Sequence, residues 1–184
     1  LAGVGVAFKL ILALAIKNRL KTTDVFNQYV DIATLGTIAD VVPLLGENRV
    51  IVDKGLKILH NPKRIGIRAI MEVAGVLDKP LNTSTIAFSI APRLNAAGRL
   101  GSAATAVELL LTNDESRARE LALLLDTENK ERQQTERQIF DEALELIAKD
   151  PNFEKKKVIV LAQENWHQGV IGIVASRLCD MYYK

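Results

Sequence analysis

The sequence predicts an α/β chain that is mostly helix, and three observations predict it. Apolar residues recur at helical spacing from Leu1 to about Lys149. Within that span, residues 113–149 form one uninterrupted periodic stretch, opened by Asn113-Asp114 and stopped by Asp150-Pro151. After it, Val158-Ile159-Val160-Leu161-Ala162 is a continuous apolar run of strand length, the pattern of a strand covered on both faces. A glycine-bearing loop and a new helical pattern follow it directly.

Taken in order, residues 1–20 predict a buried helix in which Ala2, Gly3, Gly5 and Ala7 permit close packing. Gly3-Val4-Gly5 is too little for a dinucleotide-binding loop, since a third glycine and a preceding strand are both missing. Thr23 or Asp24 is placed to cap a second helix running to Ala39, with Val25, Tyr29, Ile32 and Ala33 along one side. Asp40-Val41-Val42-Pro43 ends it, because proline disfavours helical geometry in the residue before it. Further helices are expected over residues 47–60, 65–74, 83–91 and 103–111, punctuated by Asn61-Pro62, Gly75 and Asp78-Lys79-Pro80. His60 closes one of them with no Cys or His beside it, and reads as a surface imidazole.

The long stretch 113–149 is apolar early, at Leu121, Leu124 and Leu125, and apolar late, at Ile139, Ala143, Leu146 and Ile147. From Asp126 to Gln138 it is polar all round. A helix apolar at both ends and solvated in its middle is the pattern of a bridge between two bodies. If that middle faces a cleft, Asn129, Arg132 and Gln133 are candidates for substrate contact. Lys155-Lys156-Lys157 reads as a solvated lead-in to the strand.

Composition narrows the class of function. The 184 residues are 48% hydrophobic and 25% charged, an ordinary globular balance with a sizeable core. Net charge is only +2, from 24 Lys and Arg against 22 Asp and Glu, so any site for a polyanion must be local. One cysteine, Cys179, excludes an internal disulfide framework, fits a reducing cytoplasm, and is expected to be a small buried apolar residue. Residues 1–16 are strongly apolar, but a membrane span needs roughly 20 such residues and a secretion signal needs a basic start and a cleavage site. The chain opens without Met and stops in mid-pattern at Tyr182-Tyr183-Lys184, so it reads as a piece of a longer protein.

Chemistry concentrates at three places. In Ala91-Pro92-Arg93-Leu94-Asn95-Ala96-Ala97-Gly98-Arg99-Leu100-Gly101-Ser102, two guanidiniums and a carboxamide stand among small or apolar residues. Small residues let backbone approach a ligand, and arginine grips phosphate through two parallel hydrogen bonds, so the run predicts a polyanion-binding corner built into a core. The strand, the loop around Trp166-His167-Gln168-Gly169 and the helix start beyond it form a second anion site, with free backbone N–H groups aimed at the ligand. Asp40 is the third, an acid at the end of an apolar helix, where burial without a partner is costly. It is either a cap or a metal ligand. Only Asp31 lies near it in sequence, whereas Mg²⁺ or Mn²⁺ sites normally draw on several carboxylates or imidazoles.

Asp31-Ile32-Ala33-Thr34-Leu35-Gly36-Thr37-Ile38-Ala39-Asp40-Val41-Val42-Pro43-Leu44, the run from Pro92 to Arg99, and the segment from Trp166 to Leu178 together resemble the DHH phosphoesterase family, in particular its single-strand-specific DNA exonucleases. The resemblance is collinear over essentially the whole chain. It implies the C-terminal part of a DHH catalytic domain over residues 1–112, a long connecting helix over 113–149, and the start of a DHH-associated domain over 150–184, with DNA passing between the two. It implies metal-dependent 5′→3′ hydrolysis of single-stranded DNA in repair and recombination. Asp40 would ligate a catalytic Mn²⁺ or Mg²⁺ ion, and Arg93, Asn95 and Arg99 would hold the DNA backbone near the scissile phosphate. His167, Ser176 and Arg177 would hold the 5′ end.

Two metal ions would activate water and stabilise the transition state. The implied partners are single-stranded DNA and replication or repair proteins, with no membrane, in the cytoplasm. The Asp-x-Asp, second Asp and Asp-His-His motifs of the family are absent here, so residues 1–184 alone are expected to lack nuclease activity. Alternatives are a DHH-family oligoribonuclease or cyclic-dinucleotide phosphodiesterase, and a non-catalytic DNA-binding replication scaffold, against which the acid at Asp40 argues.

Overall fold

A computed structural model of the chain describes residues 1–183. They form α1 (Gly3–Lys17), α2 (Thr22–Ala39), α3 (Gly46–Leu59), α4 (Ile65–Val73), α5 (Thr83–Thr85), a π-helical segment (Ile86–Ile90), α6 (Ala91–Leu100), α7 (Ala103–Leu111), α8 (Glu115–Ala148), a 3₁₀ turn (Phe153–Lys155) and α9 (Gln168–Tyr182). No strand occurs among the described residues.

Three apolar clusters hold these elements. The largest gathers residues such as Ile38, Leu59, Ile67, Ile70, Ile86, Ile90 and Leu109 around Leu121 and Leu125 of α8. Its fully buried Leu and Ile side chains contribute about 1.5–3 kcal/mol each. A second packs Ile139, Phe140, Ala143 and Ile147 of α8 against Val170, Val174 and Leu178 of α9 and against Phe153. A third, with Phe8, Val30 and Ile51, sits under α1, α2 and α3. Helix α8 therefore joins two cores, as its apolar ends predicted.

Its centre departs from expectation. Asp126, Asn129 and Arg132 are buried, and they continue the stripe that runs from Leu121 and Leu125 to Ile139 and Ala143. The middle of the bridge is thus a polar segment of one buried face. Its groups are paired: Asp126 with Arg93 and Lys130, and Arg132 with Asn129 and Glu136. Burial pushes the Asp126 carboxyl up, but Lys130 and Arg93 outweigh it and hold the group below the usual carboxylate range. Asn129, Arg132 and Gln133 were candidates for a cleft, and the first two instead satisfy each other inside the packing.

Further expectations change, and others hold. The first helix is not buried: Val6, Leu10, Leu14 and Ile16 are exposed, because only its face with Gly5, Phe8 and Ala15 meets α2. Neither Thr23 nor Asp24 caps α2; Lys21 occupies the N-cap without a side-chain bond, and Asp24 lies in the first turn, where it favours the helix dipole. That helix does end at Ala39 as expected, with Val41 turning the chain at φ 53°. Cys179 is exposed, at the edge of an apolar cavity of ≈ 480 Å³ shared with Ile159, Leu161 and Trp166. His60 is the exposed helix-end imidazole expected, its Nδ1 2.8 Å from the Leu56 carbonyl oxygen.

The predicted strand is not formed. Residues 158–162 run without a ladder, Val158 and Val160 exposed while Ile159 and Leu161 pack on the second cluster. An extended run becomes a strand only by bonding a neighbour, and none lies beside it among the described residues.

The arginine run, expected as a corner, is helical. Pro92 lacks an N–H and its ring conflicts with the carbonyl four residues back. The π segment absorbs this, with the Ala91 N–H bonded to the Ile86 oxygen one residue farther back than usual, so the helix passes through.

Helix α4 meets α7 at Gly66, where an added Cβ would lie 1.7 Å from the Leu109 carbonyl oxygen. Backbone cannot swing aside as a side chain can. Gly66→Ala is therefore expected to lower stability by about 3 kcal/mol, or roughly 10 °C in melting temperature. An unchanged thermal midpoint would contradict this approach of the two helices.

Candidate functional site

Helix α6 presents Asn95, Gly98 and Arg99 on one exposed face, because residues three and four apart share a helix side. Ala96 and Ala97 on the other side are fully buried and anchor that face. Opposite stand the last turn of α2 with Asp40, the first turn of α1, and the first turn of α9. Together they line an open groove of ≈ 800 Å³, with Gly36, Asp40, Asn95, Gly98, Arg99, Gln168 and Gly169 in its walls.

Asp40 is the C-cap residue of α2 and is exposed, so the expectation of a buried acid is corrected. The left-handed turn at Val41 carries the chain away and leaves the carboxylate at the wall of the groove, with no ion-pair partner among the described residues. Arg99 Nη1 donates to the Gly169 carbonyl oxygen at 3.0 Å, which ties α6 to the start of α9. Its remaining N–H donors stay available. The backbones meet closely there: a Cβ on Gly169 would lie 2.3 Å from the Arg99 carbonyl oxygen.

His167 is the N-cap of α9, its Nδ1 accepting from the Gly169 N–H at 3.1 Å. A neutral imidazole in that role carries its own hydrogen on Nε2. The Val170 and Ile171 N–H groups donate to the His167 carbonyl oxygen at 2.9 and 3.1 Å, so the Gln168 N–H is the one left over in the first turn, and the positive end of a 15-residue helix faces the groove beside Arg99. Trp166 secures the preceding loop by donating from Nε1 to Glu142 Oε2 at 2.7 Å. With Gln138 first and Trp166 second, these bonds hold the Glu142 carboxyl below its ordinary range.

The other expected residues are dispersed. Arg93 lies away from the groove, donating from Nε to Asp126 Oδ1 at 2.8 Å and from Nη1 to the Ser89 carbonyl, with its side chain largely buried. It ties α6 to α8. Ser176 is exposed one helical turn beyond Gly172, on the helix side that carries Gly169 and Gly172. Arg177 turns toward α8, where it donates to Glu136 Oε1 at 3.0 Å and lies 4.1 Å from the Phe140 ring centre. Two groups were not singled out in the sequence: Gln168, which lines the groove, and Glu136, which lay hidden in a uniformly polar stretch.

The groove can therefore bind an anion through Arg99, Asn95 and the α9 terminus, with a carboxylate at the opposite wall. As a metal site it is incomplete on this chain. Asp40 is a suitable hard oxygen ligand, but no group of three or more His, Cys, Asp or Glu placed to hold an ion exists among the described residues.

No family model matches the chain. A single-stranded-DNA-specific exonuclease RecJ of Bacillus subtilis is 42% identical over 184 residues, covering all of this chain and 22% of that protein. The RecJ of Haemophilus influenzae is 45% identical over 193 residues, covering all of this chain and 34% of its own length. The chain thus spans between a fifth and about a third of these relatives. The crystal structure of RecJ from Thermus thermophilus in complex with Mn²⁺ superposes with a TM-score of 0.85 at 40% identity, over 98% of this chain and 26% of that one. A second crystal structure, of exonuclease RecJ bound to manganese, gives 0.84 at 39% identity, over 98% and 44%. Aligned from end to end with relatives of one kind and superposed on their structures, the chain is similar along its whole length to a segment of RecJ.

Proposed function

We propose that this chain is a segment of a longer RecJ-type nuclease, and that its part in the reaction is to hold single-stranded DNA while phosphodiester bonds are hydrolysed from the 5′ end. The observation that carries the reading is the groove itself. Three of the expected site residues, Asp40, Asn95 and Arg99, come from two distant helices and line one open trough with the N-terminus of a third. Phosphate oxygens suit the guanidinium and the Gln168 N–H at the positive end of α9. RecJ-type relatives hold Mn²⁺ or Mg²⁺ in their crystal structures, and we assign Asp40 as one oxygen ligand to such an ion, the remaining ligands lying elsewhere in the complete protein.

On this reading His167, Ser176 and Arg177 hold the 5′ end. Arg93 contributes by positioning α6 from behind, since its donors are spent on Asp126 and Ser89. Residues 1–112 are the C-terminal part of a DHH catalytic domain, 113–149 the connecting helix, and 150–184 the start of a DHH-associated domain. There residues 158–162 join a sheet and make the complete domain α/β. Their alternation supports this, Ile159 and Leu161 inward and Val158 and Val160 outward. A reducing cytoplasm fits the one free thiol. No helix among the described residues is long and apolar enough to cross a membrane.

The test uses the complete protein. It is expected to degrade labelled single strands with Mn²⁺ and to spare blunt duplex of the same sequence. Arg99→Ala is expected to weaken single-strand binding roughly tenfold or more, as loss of a charge-assisted contact does. The slope of log affinity against log salt should become shallower by about 0.7. Preference for dinucleotides over long strands would overturn the exonuclease reading, and unchanged affinity in Arg99→Ala would remove that residue from the path.

A further inference from the structure

We propose that Glu136, on the buried face of α8, is the residue that positions Arg177 for the 5′ end of the strand. The inference rests on the reading of Arg177 as a 5′-end contact. One carboxylate here serves two guanidiniums. Glu136 Oε2 accepts from Arg132 Nη1 at 2.6 Å, and Oε1 accepts from Arg177 Nη1 at 3.0 Å. The Glu136 and Arg132 side chains are 15% and 11% exposed, while that of Arg177 is 46% exposed. Glu136 is thus a poor candidate to touch a ligand itself, since both its oxygens are occupied and the group is nearly covered.

The restraints on Arg177 are complementary. Its guanidinium lies over the Phe140 ring, 4.1 Å from the ring centre, which holds the group against that face. The bond to Glu136 fixes its direction there. Arginine has five N–H donors, of which Glu136 takes one, so the rest are held at the surface in a set direction. A free arginine carries rotamer entropy that a ligand contact must otherwise overcome.

Behind Glu136 the arrangement is equally determined. Arg132 is oriented by Asn129, whose Oδ1 accepts from Nη2 at 3.2 Å. Losing the Glu136 charge would leave two guanidiniums facing one another without an anion between them. Arg177 is the more exposed of the two, and it would move outward, away from its place over Phe140.

The experiment measures affinity of the complete protein for two single strands that differ only in a 5′-phosphate or a 5′-hydroxyl, in chelator so that nothing is cleaved. The wild type is expected to prefer the phosphorylated strand, and Arg177→Ala to reduce that preference about tenfold. Glu136→Gln is expected to reduce it in the same direction by roughly threefold to tenfold, and adding it to Arg177→Ala should change nothing further. Should Glu136→Gln fail to fold, Glu136→Asp keeps the charge but withdraws it by one methylene, and the same reduction is expected.

No preference in the wild type, or a preference untouched in Arg177→Ala, overturns the reading of Arg177. Loss of preference in Arg177→Ala but not in either Glu136 variant overturns the positioning role alone. Equal weakening for both strands in the Glu136 variants also overturns it, since a staple between α8 and α9 would act without regard to the end group.

Discussion

Asp40→Ala in the complete protein is expected to abolish turnover of single-stranded DNA while leaving strand binding in chelator unchanged. Asp40 stands exposed at the wall of the groove with no ion-pair partner among the described residues, so its removal frees no buried cation and vacates no packed space. The fold has no reason to respond. If Asp40 ligates a catalytic ion as proposed, turnover has every reason to, because such a carboxylate acts on the reaction directly. Loss of mere outer partners of a metal costs roughly 10- to 100-fold, and loss of a ligand should exceed that. Activity in Asp40→Ala within tenfold of wild type at saturating Mn²⁺ would remove the residue from the metal site. A melting temperature lowered by several degrees would show that Asp40 had a structural part after all.

The second large effect is expected from Gly169→Ala, which adds a methyl group and no charge. Its Cβ would lie 2.3 Å from the Arg99 carbonyl oxygen, 3.0 Å from the carbonyl carbon and 3.2 Å from Cα. All three atoms are backbone inside or beside a helix, so α9 must move away from α6. The bond from Arg99 Nη1 to Gly169 then lengthens or breaks, and the α9 terminus leaves its place beside the guanidinium. A misplacement of about 1 Å at a reacting centre costs roughly 100-fold in rate. The two main cores do not share this contact, since α8 runs through both. Helix content should therefore be kept while strand affinity and turnover fall together. Wild-type affinity in Gly169→Ala would show that α6 and α9 do not act as one surface.

Both results depend on how distant segments meet, and this limits what the chain shows of itself. The helices could be read from spacing and breakers, and six of the long ones lie close to their expected bounds. The continuation of α6 through Pro92 could not, because a proline in a periodic stretch normally marks a boundary. What saves the helix is a π turn, a backbone adjustment with no side-chain signature. The centre of α8 was misread for a related reason. Charged residues at a buried face look the same in sequence as charged residues in water, and only their pairing with Arg93, Asn129 and Glu136 distinguishes them.

The candidate site shows the same division. Two arginines in one short run look equivalent in sequence. Six residues at about 100° each place them about 240° apart around the helix, so only one can face the groove. Which one depends on what packs behind α6, and Asp126 on α8 takes Arg93. Sequence alone determined that this chain is built of helices, that groups suited to phosphate cluster in the small-residue run and before α9, and that Asp40 ends an apolar helix at a turn. These are local matters of spacing and chemistry. Tertiary structure decided that Asp40, Arg99 and Gly169 share one groove although Arg99 and Gly169 lie 70 residues apart, and that residues 158–162 stand unpaired. Close approach and strand pairing are properties of two segments together, and neither segment encodes them by itself.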